Sequence, residues 1–168
     1  MNEDFVLVIA GPPGVGKTTI AHIICQHNCF YLSGDELSKK LFPGVYTDTP
    51  EQLKQTNKEL LKRLKDLNVG NCLVVDLVYL DEDFLNKLKK LFGKHLIIKV
   101  IFPPIKITIE RDKKRQCWTS GEEDIKRYYK QYQNLKHIIG ENNYIDNSNQ
   151  NPEETYEKYF SNLILNRL

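Results

Sequence analysis

The chain has no long hydrophobic run. Its most apolar stretches, such as Phe5 to Ala10, fall far short of the roughly 20 residues that cross a bilayer. It has no basic leader either. Met1-Asn2-Glu3-Asp4 is acidic where an export signal would be basic, so a cytoplasmic protein with no membrane partner is expected. An excess of one charge is also missing. With 24 Lys and Arg against 22 Asp and Glu, the net charge is +2, and any basic site must be local. The four cysteines, at 25, 29, 72 and 117, make no CxxC pair. That argues against a metal site or a disulfide framework, and Cys25 and Cys72 read as small core residues. His22, His27, His95 and His137 lack partners spaced for catalysis or metal binding, so they read as structural or surface residues. Repeats, low-complexity tracts and breaks in composition are absent, and one domain over residues 1–168 is expected.

What is present is concentrated near the start. Gly11-Pro12-Pro13-Gly14-Val15-Gly16-Lys17-Thr18-Thr19 follows the apolar run Phe5–Ala10 and precedes a helical pattern from Thr19 to Gln26. This is G-x-x-x-x-G-K-[ST] between a strand and a helix. Glycines at 11, 14 and 16 let successive N–H groups point into one concavity, which suits phosphate oxygens. The helix adds the positive end of its dipole. Lys17 would reach the outer phosphates of a nucleoside triphosphate, and the Thr18 hydroxyl would be a ligand of Mg²⁺.

Downstream, strands alternate with helices. Strands are expected at Cys29–Leu32, Asn71–Asp76, His95–Phe102 and Asn143–Asp146. Helices are expected over Glu36–Phe42, from Pro50 to about Leu67, over Asp81–Phe92, from Ile105 to about Arg115, over Glu122–Ile139, and from Pro152 through Ile164 as one element. Such alternation implies a parallel sheet with helices on both faces, which binds ligands at the carboxyl ends of its strands.

Three features sit at those ends. Asp76 closes the third strand, where an acidic residue can organise the metal; a helix-cap role is disfavoured because Leu77-Val78-Tyr79-Leu80 intervenes before the next helix. Asp35 follows the second strand and can accept the proton of an attacking hydroxyl, or cap the helix from Glu36, or both. Arg111 and Arg115 lie one helical turn apart in a basic run, before a polar break over Gln116–Gly121 that fits a mobile lid. They can neutralise charge on a transferring phosphoryl group.

Together these residues resemble the small P-loop kinases. The matching features are the loop itself, Asp35 followed by Phe42-Pro43-Gly44, Asn68-Val69-Gly70, Val74-Val75-Asp76 and Arg111-x-x-x-Arg115. Within them the chain looks most like the group holding polynucleotide 5′-hydroxyl kinases, zeta toxins, chloramphenicol phosphotransferase and seryl-tRNA kinases. The resemblance implies a P-loop NTPase α/β sandwich with five parallel strands in the order 2-3-1-4-5, a helical lid at about 111–127, and ATP with Mg²⁺ as donor. It implies a general base at Asp35, phosphate and metal ligands at Lys17 and Thr18, lid arginines at Arg111 and Arg115, and an adenine loop at Asp146-Asn147-Ser148. Two positions depart from the group's pattern. Ser38 stands where an arginine often grips substrate, and residues 81–91 hold lysines but no arginine. A lysine offers no bidentate fork.

The expected activity is therefore transfer of the γ-phosphoryl group of ATP to a hydroxyl of a small molecule, by a monomer or dimer. Its pocket would lie among residues 35–46 and 77–80, with Tyr46, Tyr79 and Trp118 as candidate walls. A nucleic-acid 5′-kinase is the alternative enzyme, and a non-enzymatic ATP switch the alternative class. Nucleic acid is a possible partner that a near-neutral charge does not require. A guanine-specific switch is disfavoured because Asn57-Lys58-Glu59-Leu60 lacks the aspartate of its motif.

Overall fold

Five parallel strands form the middle layer of the computed structural model, which describes residues 5–44, 49–66, 72–115 and 119–165. They are β1 (Phe5–Ala10), β2 (Phe30–Ser33), β3 (Cys72–Leu77), β4 (Leu96–Ile101) and β5 (Tyr144–Ile145), in the order β2-β3-β1-β4-β5. This is the expected order. β1 is central, with Ile9 opposite Asp76 on β3 and Lys99 on β4.

The composition of β1 follows from its position. All six residues are buried, and successive side chains point to opposite faces. Val6, Val8 and Ala10 join one core, with Leu60 and Leu64 of α3 (Pro50–Asp66), Phe84, Leu85 and Leu88 of α4 (Glu82–Phe92), and Tyr132 of α6 (Glu122–Ile139). Phe5, Leu7 and Ile9 join the other, with Ile20, Ala21 and Ile24 of α1 (Lys17–Cys25) and Tyr156 of α7 (Pro152–Tyr159). Two layers of helices thus cover one sheet. Among the described residues, no helix is long and apolar enough to cross a membrane.

Most boundaries move by one or two residues from expectation, and three of the helical differences matter. α1 begins at Lys17, two residues early, so Lys17 and Thr18 belong to its first turn. The helix after β2, α2 (Gly34–Leu41), is capped by Ser33, whose hydroxyl accepts from the Glu36 N–H at 3.2 Å. Asp35 is therefore not the cap. The last helix is interrupted at Phe160, and α8 (Ser161–Leu165) follows it. Ser161 donates its hydroxyl to the Glu157 carbonyl at 2.6 Å, a local bond that competes with regular helix geometry. The remaining helix, α5 (Ile105–Lys113), starts after Pro103-Pro104 as expected. Asn68-Val69-Gly70, Gln116, Tyr46 and Trp118 lie outside the described residues.

Candidate active site

The carboxyl ends of β1, β2 and β3 bring the phosphate loop, Asp35 and Asp76 to one edge of the sheet. Gly11 leaves β1 at φ 146°, and a Cβ there would collide with the Ile101 carbonyl oxygen of β4. Only glycine lets the chain turn there. Pro12, Pro13 and Val15 are buried, so the loop rests on the core beneath it. Gly16 is left-handed at φ 96° and hands the chain to α1.

Lys17 is 7% exposed, and its Nζ donates to the Pro12 carbonyl at 2.9 Å. Burial lowers its pKa, while the nearby Asp76 and Asp35 carboxylates push back and Arg115 adds to the lowering. The charges of Asp76, Asp35 and Arg115 therefore all reach Lys17. Thr18 and Thr19 are exposed beside it.

Asp76 is 4% exposed. Its Oδ2 accepts two hydroxyl donors, Thr18 at 2.6 Å and Tyr31 at 3.2 Å. A hydroxyl that gives its proton to a carboxylate keeps its lone pairs for something else. The Thr18 oxygen can then act as a cation ligand, held in one rotamer by Asp76. Burial, then the Asp76 charge, raise the Tyr31 pKa, so Tyr31 stays a donor. Tyr31 is a site residue that sequence reasoning missed; its hydroxyl meets Asp76 only through the β2–β3 pairing.

Does this donor set fit Mg²⁺? Among the described residues no group of three His, Cys, Asp or Glu side chains could hold a metal. Mg²⁺ with a nucleotide needs less. It takes one or two protein oxygens and completes its octahedron with phosphates and water. Thr18 backed by Asp76 fits that role.

α5 ends at Lys113, short of the expected Arg115, so Arg111 lies in its last turn while Arg115 falls beyond it, and the two arginines face different partners. Arg111 donates to the Asn147 side-chain oxygen at 3.1 Å and to the Asn147 carbonyl at 2.9 Å. Asn147 in turn donates to the Val15 carbonyl of the phosphate loop at 3.2 Å. The loop after β5 is thereby tied to both α5 and the phosphate loop. Arg115 turns instead to Asp112 at 3.4 Å.

Asp112 was hidden in the basic run. It is 2% exposed and accepts from the Ser120 and Gly121 N–H groups, which lie just before α6. One carboxylate thus joins both helices of the expected lid. A signal existed. Thr108 and Asp112 are four apart and both buried, so they share the inward face of α5.

On the other side of Asp35 lies a small cleft, partly open to solvent. Gly34, Asp35 and Ser38 of α2 form one wall, and Leu77, Val78 and Tyr79 form the floor. The far wall is Leu53, Thr56 and Asn57 of α3, which sequence reasoning did not assign to the site. Gly34 makes the close approach possible: a Cβ there would lie 2.8 Å from Leu77 Cδ2 and 3.3 Å from the Asp76 carbonyl.

Comparison with known proteins agrees with this architecture. Residues 6–135 match the family model described as AAA domain. A gluconokinase from Sinorhizobium meliloti superposes with a TM-score of 0.74, covering 99% of this chain and 95% of that one at 18% identity. The shikimate kinase of Aquifex aeolicus superposes with a TM-score of 0.68, covering 96% and 98% at 17% identity. At such identities the likeness is one of fold. A human relative, the chromosome transmission fidelity protein 18 homolog, is 35% identical over 71 residues. The match takes in 42% of this chain and spans only 7% of the length of that relative.

Proposed function

The chain belongs to the AAA-domain family, with the sheet order and phosphate loop of P-loop NTPases, and we infer that it is an ATP-dependent phosphotransferase acting on a hydroxyl of a small molecule. One observation carries the inference. Asp76 orients Thr18 at 2.6 Å beside the buried Lys17, while Asp35 opens from the same edge into a separate cleft. A donor site and an acceptor site adjoin, which a switch that only binds nucleotide does not need.

In this reading the amides of Gly11, Pro12, Pro13, Gly14, Val15, Gly16, Lys17, Thr18 and Thr19, less those the prolines lack, surround the phosphates. Lys17 exchanges the Pro12 carbonyl for phosphate oxygens. Thr18, positioned by Asp76, would hold Mg²⁺, which would supply charge neutralisation to the phosphates. Asp35 takes the proton of the acceptor hydroxyl. Arg115, whose charge already reaches Lys17, offsets negative charge on the transferring group. Arg111 and Asn147 position the nucleotide from the loop after β5. The lid is the 111–127 segment, and the chain acts as one domain over 1–168, in the cytosol. Within the P-loop kinases we place it in the group of polynucleotide kinases, zeta toxins and chloramphenicol phosphotransferase. A nucleic-acid acceptor is not required.

The test is ADP release from ATP and Mg²⁺ across sugars, antibiotics, nucleosides and 5′-hydroxyl RNA. Acceptor-dependent turnover with labelled phosphate on the acceptor is expected. ATP binding without turnover on any of them would leave a switch.

A further inference from the structure

Asn57 is 6% exposed, and among the described residues its side-chain Nδ2 has no hydrogen-bond acceptor. Leaving a buried amide donor unmade is costly, and native proteins rarely do so without a reason. The residue lines the cleft beside Asp35. Its neighbour Thr56 is already committed, donating to the Gln52 carbonyl at 3.0 Å. The donor is therefore left for a group that enters the cleft.

The rest of the lining defines that molecule. Among the described residues no lysine, arginine or histidine lines the cleft, and its one charged side chain is the carboxylate of Asp35. Arg127, whose charge reaches Tyr79, is held by Asp124 at 3.1 Å. A carboxylate or phosphate buried here would face Asp35, and among the described residues no cation lines the cleft to compensate it. A hydroxyl or ether oxygen would instead accept from Asn57, while Leu53, Leu77 and Tyr79 cover the C–H face of a small ring.

We propose that the cleft between α2 and α3 takes an uncharged, hydroxylated ring, of sugar or nucleoside kind, and that Asn57 selects it by donating to a ring oxygen or hydroxyl. This rests on the phosphotransferase reading and adds the acceptor's charge and its anchor.

The test compares matched acceptors with the full chain: D-glucose with D-gluconate, and adenosine with adenosine 3′-monophosphate, alongside 5′-hydroxyl RNA. The neutral member of each pair should be used with at least tenfold higher kcat/KM. Better use of the anionic members, or of RNA alone, would overturn the assignment while leaving a kinase. Absence of phosphate transfer to every acceptor would instead sink the phosphotransferase reading. Asn57→Leu supplies an independent measurement. Removing an unpaired donor should raise Tm, and the best acceptor should lose about tenfold or more in kcat/KM through KM, with ATP affinity unchanged. An unchanged KM in that folded variant, or a lowered Tm, would show that Asn57 is a structural residue and not an anchor.

Discussion

The two sides of the active edge are built on opposite terms. On the nucleotide side, Lys17, Thr18, Asp76, Tyr31, Arg111 and Asn147 all bond to one another or to the loop. On the acceptor side, Asn57 Nδ2 has no acceptor among the described residues, and the floor of the cleft beside Asp35 is largely apolar. A triphosphate tail is the same for every reaction, so its site can be set in advance, with no reorganisation left for the moment of transfer. An acceptor site of a shared fold must differ from one protein to the next, and its specificity rests on a few polar groups left for the ligand. The difference in hydrogen bonding is thus a difference in what each half recognises.

The sharpest way to break that comparison is at Asp35. Asp35→Asn should lower kcat by about 10²–10⁴, the usual worth of a positioned base, with calorimetric ATP affinity retained. A loss of ATP affinity would move Asp35 to the nucleotide side. Lys17→Ala should do the reverse. It removes one preorganised donor and should cost about 10²–10³ in kcat/KM, and ATP binding should weaken too. Equal ATP affinity in that variant would end the assignment of Lys17 to phosphate.

The boundary between the halves is Gly34. Gly34→Ala places a Cβ 2.8 Å from Leu77 Cδ2 and 3.3 Å from the Asp76 carbonyl oxygen, so the Leu77 side chain on the cleft floor must give way. Such overpacking costs about 1–3 kcal/mol, read from denaturant melts. The acceptor KM should rise while ATP affinity holds. Smaller still is Tyr31→Phe, which leaves Thr18 as the one described side-chain donor to Asp76 Oδ2. One hydrogen bond is worth about 0.5–1.5 kcal/mol, so a modest loss of stability with a rise in the Mg²⁺ needed for half-maximal rate is expected. Unchanged Mg²⁺ dependence would make Tyr31 a packing residue only.

The same division governs what the sequence reveals. The sheet was legible because Phe5–Ala10 and Cys72–Val75 are continuously apolar, as strands covered on both faces must be. The phosphate loop was legible because its chemistry is local, nine consecutive residues bent by glycine. Tyr31 and Asp76 are 45 residues apart, Arg111 and Asn147 are 36 apart, and Asn147 and Val15 are 132 apart. Pairing of that kind follows from strand order and appears in no local pattern. Asn57 was harder again. On α3 it sits between Leu53 and Leu60 on a buried face, and an amide on a hydrophobic stripe reads as a satisfied core residue until its partners are counted. The break at Phe160 escaped for a local reason, since Tyr156, Phe160 and Ile164 keep helical spacing across it.

The smallest expected effect tests how far the nucleotide side is set in advance. Burial lowers the Lys17 pKa below 10.5, against the pull of Asp76 and Asp35 and with help from Arg115. In the unfolded chain the same lysine has its ordinary value, so between the two values the unfolded state binds more protons. Stability then rises with pH through that window, because the charged form pays for burial and the neutral form does not. In nucleotide-free protein the contribution is a penalty, full below the lowered pKa and gone above 10.5. Raised tyrosine pKa values, at Tyr31 and Tyr132, act in the opposite sense above pH 10, so the lysine term is isolated by difference. Lys17→Met should be more stable than the parent at neutral pH, and the gap should close as pH approaches 10.5. Phosphate oxygens restore the charged form, so ATP with Mg²⁺ should stabilise the parent much more than Lys17→Met. A gap between the two proteins that stays constant with pH would mean that the ammonium is already fully compensated by its two carboxylates, and that the phosphate loop stores no electrostatic strain for ATP to relieve.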